Sequence, residues 1–196
     1  METHPLQPFL PPGARLLMLG SFPPPRRRWS MDFYYPNMQN DMWRIFGLLY
    51  HGERDWFVDT ASRCFDKRRI TAFLAELGVA LYDTACAVNR LRDNASDKFL
   101  EVEQRTDVAA LLRRLPSCRT VAATGQKAAD ELCAFFGAVP PRVGSFTETD
   151  FEDGRTLRLY RMPSSSRAYP LRLEAKAAVY GSMLADLGLL ADFNGE

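Results

Sequence analysis

Four short stretches of this sequence carry side chains that could act together on a bound molecule. Gly20-Ser21-Phe22-Pro23 joins a flexible residue to a run of prolines, so the backbone can approach a ligand while the following chain stays stiff. Tyr34 and Tyr35 offer flat aromatic faces, and stacking of a nucleobase on such a face is worth roughly 1–3 kcal/mol. Asn40 can donate and accept through one amide, which suits the edge of a base or a positioned water. Pro163-Ser164-Ser165-Ser166-Arg167 sets three hydroxyls beside a guanidinium, groups that commonly contact a phosphate backbone. Arg26, Arg27 and Arg28 add fixed positive charge, and Gly125-Gln126-Lys127 leaves a helix N-terminus that suits an anion. Each stretch also has a plainer reading. Tyr34 and Tyr35 beside Phe33 can simply pack, and Asn40 can simply cap a helix. The serine run can be a turn into the last helix, and Gly125-Gln126-Lys127 a strand–helix junction. A function therefore depends on these stretches meeting at one rim.

The elements around them are of the kind that would bring this about. A continuous apolar run at 14–19 ends at Gly20, and another at 79–82 ends at Asp83. A third strand is expected at 120–124, broken at Gly125, and a fourth at 156–160, ended by Pro163. Such runs bounded by turn residues read as buried, mostly parallel strands. Between them lie helical patterns at 41–50, opened by Asn40, and at 67–77, capped by Asp66 and stopped at Gly78. Further helices are expected from a Thr106 cap to 115, over 126–136, and over 171–187. A polar loop covers 89–97, and Glu152-Asp153-Gly154 reads as a hairpin turn. Strands alternating with helices predict an α/β fold with a mostly parallel sheet, and such sheets bind ligands beyond the carboxyl ends of their strands. Those ends are Gly20, Asp83, Gly125 and Pro163.

Composition narrows the class. A chain of 196 residues, 46% of them hydrophobic, fits one domain over 1–196 and can bury a full core without disulfide or metal support. The 25 Lys and Arg nearly balance 24 Asp and Glu, so net charge names no partner. Their distribution is less even, with arginines at 26–28, 90, 92, 161 and 167 and acids gathered at 101–107 and 148–153. That asymmetry suits an anionic partner on one face, although any single charged run is more commonly a solvated surface. Cys64, Cys86, Cys118 and Cys133 show no metal-binding spacing and read as reduced, buried thiols, so no metal is expected. The sequence shows no signal-peptide pattern and no apolar stretch of about 20 residues, so a soluble, cytoplasmic protein is expected. A phosphate-binding G-x-x-x-x-G-K-[ST] or a G-x-G-x-x-G sequence is also absent.

The order G-S-F-P, Y-Y-P-N-M-Q-N-D-M-W, a strand ending in Asp83, T-G-Q-K-A and M-P-S-S-S resembles the uracil-DNA glycosylase superfamily, most of all its hypoxanthine-DNA glycosylase-like branch. The resemblance spans 16 to about 187. It implies a three-layer sandwich with a central four-stranded, mostly parallel sheet between helices, and a pocket for a base turned out of DNA. It places the stacking aromatic on Tyr35, the catalytic or base-contacting amide on Asn40, and the reader of the base edge on Asp83. Gly20, Ser21 and Phe22 become the pocket turn, and Ser164 to Arg167 the loop that grips DNA. With Arg26 to Arg28 and Lys127 as further DNA contacts, the chain is expected to excise a deaminated or damaged base, such as uracil or hypoxanthine, as a monomer without a cofactor. Four positions depart from the pattern. Phe22 stands where many members carry Asp or Asn, Asn37 and Met38 replace a His-Pro pair, and Asp83 replaces a common Asn. A non-catalytic DNA-binding module and a small-molecule or nucleotide hydrolase are the alternative readings.

Overall fold

The structure is a computed structural model that describes residues 1–91 and 97–191. Arg92 and most of the loop expected at 89–97 lie outside the described residues. In chain order the elements are β1 (Glu2–Thr3), β2 (Leu16–Gly20), α1 (Met42–His51), β3 (Val58–Asp59), β4 (Cys64–Phe65), α2 (Lys67–Leu77), β5 (Val79–Asp83) and β6 (Ala85–Arg90). They continue with β7 (Leu100–Arg105), α3 (Val108–Arg113), β8 (Thr120–Thr124), α4 (Gln126–Phe136), β9 (Ser145–Asp150), β10 (Thr156–Met162) and α5 (Leu173–Asp186).

The central sheet runs β5-β2-β8-β10-β9, parallel except for β9. Strands β2, β5 and β8 are buried on both faces because both faces are covered, as a parallel sheet requires. Leu16 and Met18 of β2 face one core with Trp43, Ile45 and Phe46 of α1, Ile70 and Leu74 of α2, and Tyr180 and Leu184 of α5. Leu17 and Leu19 face the other with Val108 and Leu112 of α3 and Ala128 and Leu132 of α4. Helices on both sides of one sheet make the expected three-layer α/β sandwich. Truncating any of these buried leucines to alanine should cost about 2–5 kcal/mol.

The sheet has five strands where four were expected. The fifth, β9, is the antiparallel edge partner of β10 across the hairpin turn at Gly154 (φ +84°). Its polar residues, Ser145-Phe146-Thr147-Glu148-Thr149-Asp150, reflect an edge strand that is only half covered. A second sheet, β1-β6-β7, was not anticipated at all. It takes up the acidic run near 101 as β7 and ties the N-terminal segment to β6.

Two local expectations are corrected. Asp107, not Thr106, caps α3, its carboxylate accepting the Ala110 N–H at 2.9 Å. Thr106 instead donates its hydroxyl to the Asp83 carbonyl at 2.7 Å, fixing the exit of β5. Likewise Asp41, not Asn40, is the residue at the N-terminus of α1, and its side chain makes no cap bond there. Of the four cysteines, Cys118 and Cys133 are buried as expected, whereas Cys64 and Cys86 are partly exposed.

Candidate active site

The carboxyl ends of β2, β5, β8 and β10 open onto one pocket of about 750 Å³. Gly20, Ser21, Phe22, Tyr35, Asn40, Asp83, Arg28 and Ser164 to Arg167 all line it. The loops after β2, β5 and β10 therefore meet at one place, to which β8 contributes Thr124, while Gly125, Gln126 and Lys127 are not among the lining residues.

Asp83 ends β5 with its side chain directed across Gly20 of the neighbouring strand, its register partner. A Cβ added at Gly20 would overlap Asp83 Oδ1, so glycine is what makes room for the carboxylate. Oδ2 accepts a 2.8 Å hydrogen bond from Nε2 of His4, and the two side chains are only 8% and 2% exposed. The other imidazole nitrogen, Nδ1, faces the Leu6 backbone, 2.9 Å from its carbonyl oxygen and 3.2 Å from its nitrogen. Rings of Phe22 and Tyr82 pack against His4 at 5.4 and 4.6 Å. A buried carboxylate is tolerated only when such partners replace water. The result is an acceptor held at one point of the pocket wall.

Tyr35 adopts a left-handed backbone (φ +48°), a strained state for a residue with a side chain. Its hydroxyl lies 3.0 Å from Thr124 Oγ1 at the end of β8, and its ring meets Trp43 edge-on at 5.9 Å. Burial and, next, the Asp83 charge push its phenol well above the usual range, so the side chain stays neutral. The hydroxyl is thus an anchor for the ring, a role that stacking alone did not suggest.

Asn40 divides its amide between two tasks. Oδ1 accepts the Met42 N–H at 2.9 Å, helping to open α1 from one residue outside the cap position. Nδ2 makes no hydrogen bond to a described residue, and the residue lines the pocket. Asn40 also bridges antiparallel to Ser166, and the Asp41 N–H donates to the Ser165 carbonyl at 2.8 Å. Beneath this strip lies a buried ion cluster. Asp41 accepts from Arg167 Nε and from Lys176 Nζ, both at 3.0 Å, and Lys176 also donates to the Ser166 carbonyl at 2.8 Å. Lys176 is fully buried and Asp41 5% exposed. Arg167, read from sequence as a DNA contact, therefore has its guanidinium Nε engaged in holding the serine loop against α1.

The arginine triplet forms one exposed 3-10 turn. Arg26 donates to Asp32 at 2.6 Å and lies 4.1 Å over the Trp29 ring, while Arg28 reaches the pocket. Lys127 sits in the first turn of α4, half-buried. Phe22 has turned toward an apolar cluster with Ala85, Val88 and Leu100.

Sequence reasoning missed two members of the site. His4 is one of only two histidines, and its chain partner, β6, was not expected. Asp97 also lines the pocket, where its Oδ1 accepts the Ser21 hydroxyl at 2.6 Å. Burial, and the charge of Asp83, raise its pKa, while the Ser21 hydrogen bond, Lys127 and Arg90 act in the other direction. Among the described residues no group of three or more His, Cys, Asp or Glu is arranged to hold a metal ion. Among them, too, no helix is long and apolar enough to cross a membrane.

The chain is thus a mostly parallel sheet between helix layers with its pocket at the strand ends. A solution NMR structure of a "putative Uracil DNA glycosylase" from Methanosarcina acetivorans shares this fold with a TM-score of 0.65, covering 95% of this chain and 98% of that one. The two sequences are 20% identical, so the likeness is one of fold, and it does not single out the hypoxanthine branch. No protein-family model and no curated protein matches the sequence.

Proposed function

We propose that this chain is a DNA glycosylase that hydrolyses the N-glycosidic bond of a deaminated base, uracil or hypoxanthine, turned out of DNA into the pocket. The observation that carries the reading is the grouping of Tyr35, Asn40 and Asp83 on one pocket wall within this fold. Turning a base out costs a few kcal/mol, which stacking on Tyr35 and hydrogen bonds to the base edge offset.

Asp83 gives the pocket a chemical preference. An ionised carboxylate only accepts hydrogen bonds, so it favours a ring N–H and disfavours a ring nitrogen lone pair. Deamination makes that change: the ring nitrogen that accepts in cytosine or adenine carries a hydrogen in uracil or hypoxanthine. The Asn40 Nδ2 donors then hold either a carbonyl of the base or the attacking water. The departing base leaves with the bond's electron pair, and carboxylates and DNA phosphates offset the positive charge growing on the sugar. Water is the only co-reactant. Arg26 to Arg28, Lys127 and Ser164 to Ser166 are the proposed phosphate contacts of this reading.

One observation favours a second reading. Phe22 lies in an apolar cluster where a water-activating group would otherwise stand, which suits a DNA-binding module without turnover. Oligonucleotides carrying uracil, hypoxanthine, xanthine or an alkylated purine, incubated with the protein and then treated with alkali, separate the two. Strand cleavage at uracil or hypoxanthine supports the glycosylase. A gel shift with no cleavage on any substrate supports the module.

A further inference from the structure

Resting on the glycosylase reading, a second question arises: which group takes the proton from the attacking water. The pocket is lined by two acidic side chains among the described residues, Asp83 and Asp97. Asp83 is committed to His4 through Oδ2 and is seated at the end of β5 across Gly20. Asp97 stands in a short 3-10 turn between β6 and β7 and is held by the turn after β2, with Oδ1 on the Ser21 hydroxyl. Its Oδ2 accepts no hydrogen bond from a described residue. Phe22, the next residue after Ser21, carries no acid–base group.

We infer that Asp97 is the general base of this pocket, a carboxylate supplied from outside the Gly20–Pro23 turn and aimed by Ser21. In the step it serves, Asp97 Oδ2 takes a proton from water as the water oxygen bonds to C1′ of the sugar. The C1′–N bond breaks, and its electron pair leaves with the base, which is then protonated by solvent. The products are the free base and an abasic site.

The surroundings suit that work. Burial and the charge of Asp83 raise the proton affinity of Asp97, which makes it a stronger base than a solvated aspartate. Lys127 from α4, Arg90 from β6 and the Ser21 hydroxyl from the β2 turn oppose this and favour the ionised form. His4 contacts Asp83 and makes no hydrogen bond to Asp97.

Single-turnover excision, measured from acid to alkaline pH on the base that the parent removes best, tests the inference. Asp97→Asn keeps the Ser21 contact and should lower the rate roughly 10²–10⁴-fold, the usual contribution of a general base. It should also lose the acid limb of the pH profile while binding the same DNA. Ser21→Ala should move that limb to higher pH, because the hydrogen bond favouring the carboxylate is gone. Parent-like rates in Asp97→Asn, or an acid limb unmoved by Ser21→Ala, would overturn the inference while leaving the glycosylase reading standing. A parent that excises no base overturns both.

Discussion

His4 and Asp83, 79 positions apart in the chain, share a 2.8 Å hydrogen bond inside the pocket wall, with both side chains nearly sealed from solvent. The bond ties the N-terminal segment to the end of β5, the strand end proposed to read the base. It also gives the carboxylate one orientation, which the backbone of Gly20 completes from the other side.

Gly20→Ala tests that seating. The new methyl group would occupy the place of Asp83 Oδ1, so the carboxylate must turn or the strands must part. Overpacking of this kind costs about 1–3 kcal/mol. Urea unfolding should show that loss with an unchanged slope, and excision should fall at least tenfold. A variant with parent stability and rate would show that the carboxylate position has no bearing on the reaction.

Asn40→Asp separates the two tasks of that side chain. The aspartate oxygen can still accept the Met42 N–H, and a negative charge at the start of α1 is favourable, so the melting temperature should hold. The Nδ2 donors disappear. Single-turnover excision should drop by roughly 10²-fold. Retention of both properties would leave Asn40 only its role at the helix start.

Lys176 should matter for the loop above it more than for chemistry. Lys176→Ala removes one of two cations from a buried aspartate and a donor from the Ser166 carbonyl. Breaking a buried pair in this way costs about 3–5 kcal/mol. Arg167→Ala, at the more exposed end of the cluster, should cost less. Denaturant unfolding at low and high salt checks this, because a sealed pair is little screened and its contribution should persist.

The raised pKa of Asp97 predicts a pH dependence of stability with a definite sign. The folded chain holds this proton more tightly than the unfolded chain, whose aspartates titrate near 3.9. Between the ordinary value and the raised folded value, the folded state carries the extra proton, so stability falls as pH rises through that window. Asp97→Asn removes the effect. Thermal melts should show the variant more stable than the parent at neutral pH and the two converging below about pH 4. Parallel curves at all pH values would contradict it.

Much of this fold can be read in the sequence, because apolar runs ending in Gly20, Asp83, Gly125 and Pro163 state both the strand and the rim that it feeds. The β1-β6-β7 sheet cannot be read so easily. β7 is largely charged, β1 is two residues long, and both exist through pairing with β6 rather than through a hydrophobic period of their own. The same reason hid His4, which meets Asp83 from the end of β1, and Asp97, which lines the pocket from the turn between β6 and β7. Thr106 is in the expected loop with a different partner, and Arg167 has in Asp41 a partner the sequence does not show, since a hydroxyl or a charge does not disclose which buried group it will meet.

The most direct measurement follows the atoms of the reaction. Single-stranded and duplex DNA carrying uracil or hypoxanthine would be incubated with the protein in water enriched in ¹⁸O, and both products analysed by mass spectrometry. The account predicts free, unlabelled base and an abasic sugar carrying one ¹⁸O at C1′, with the yield falling in Asn40→Asp. Intact DNA, or a released base without label in the sugar, would contradict the claim that this pocket hydrolyses a glycosidic bond.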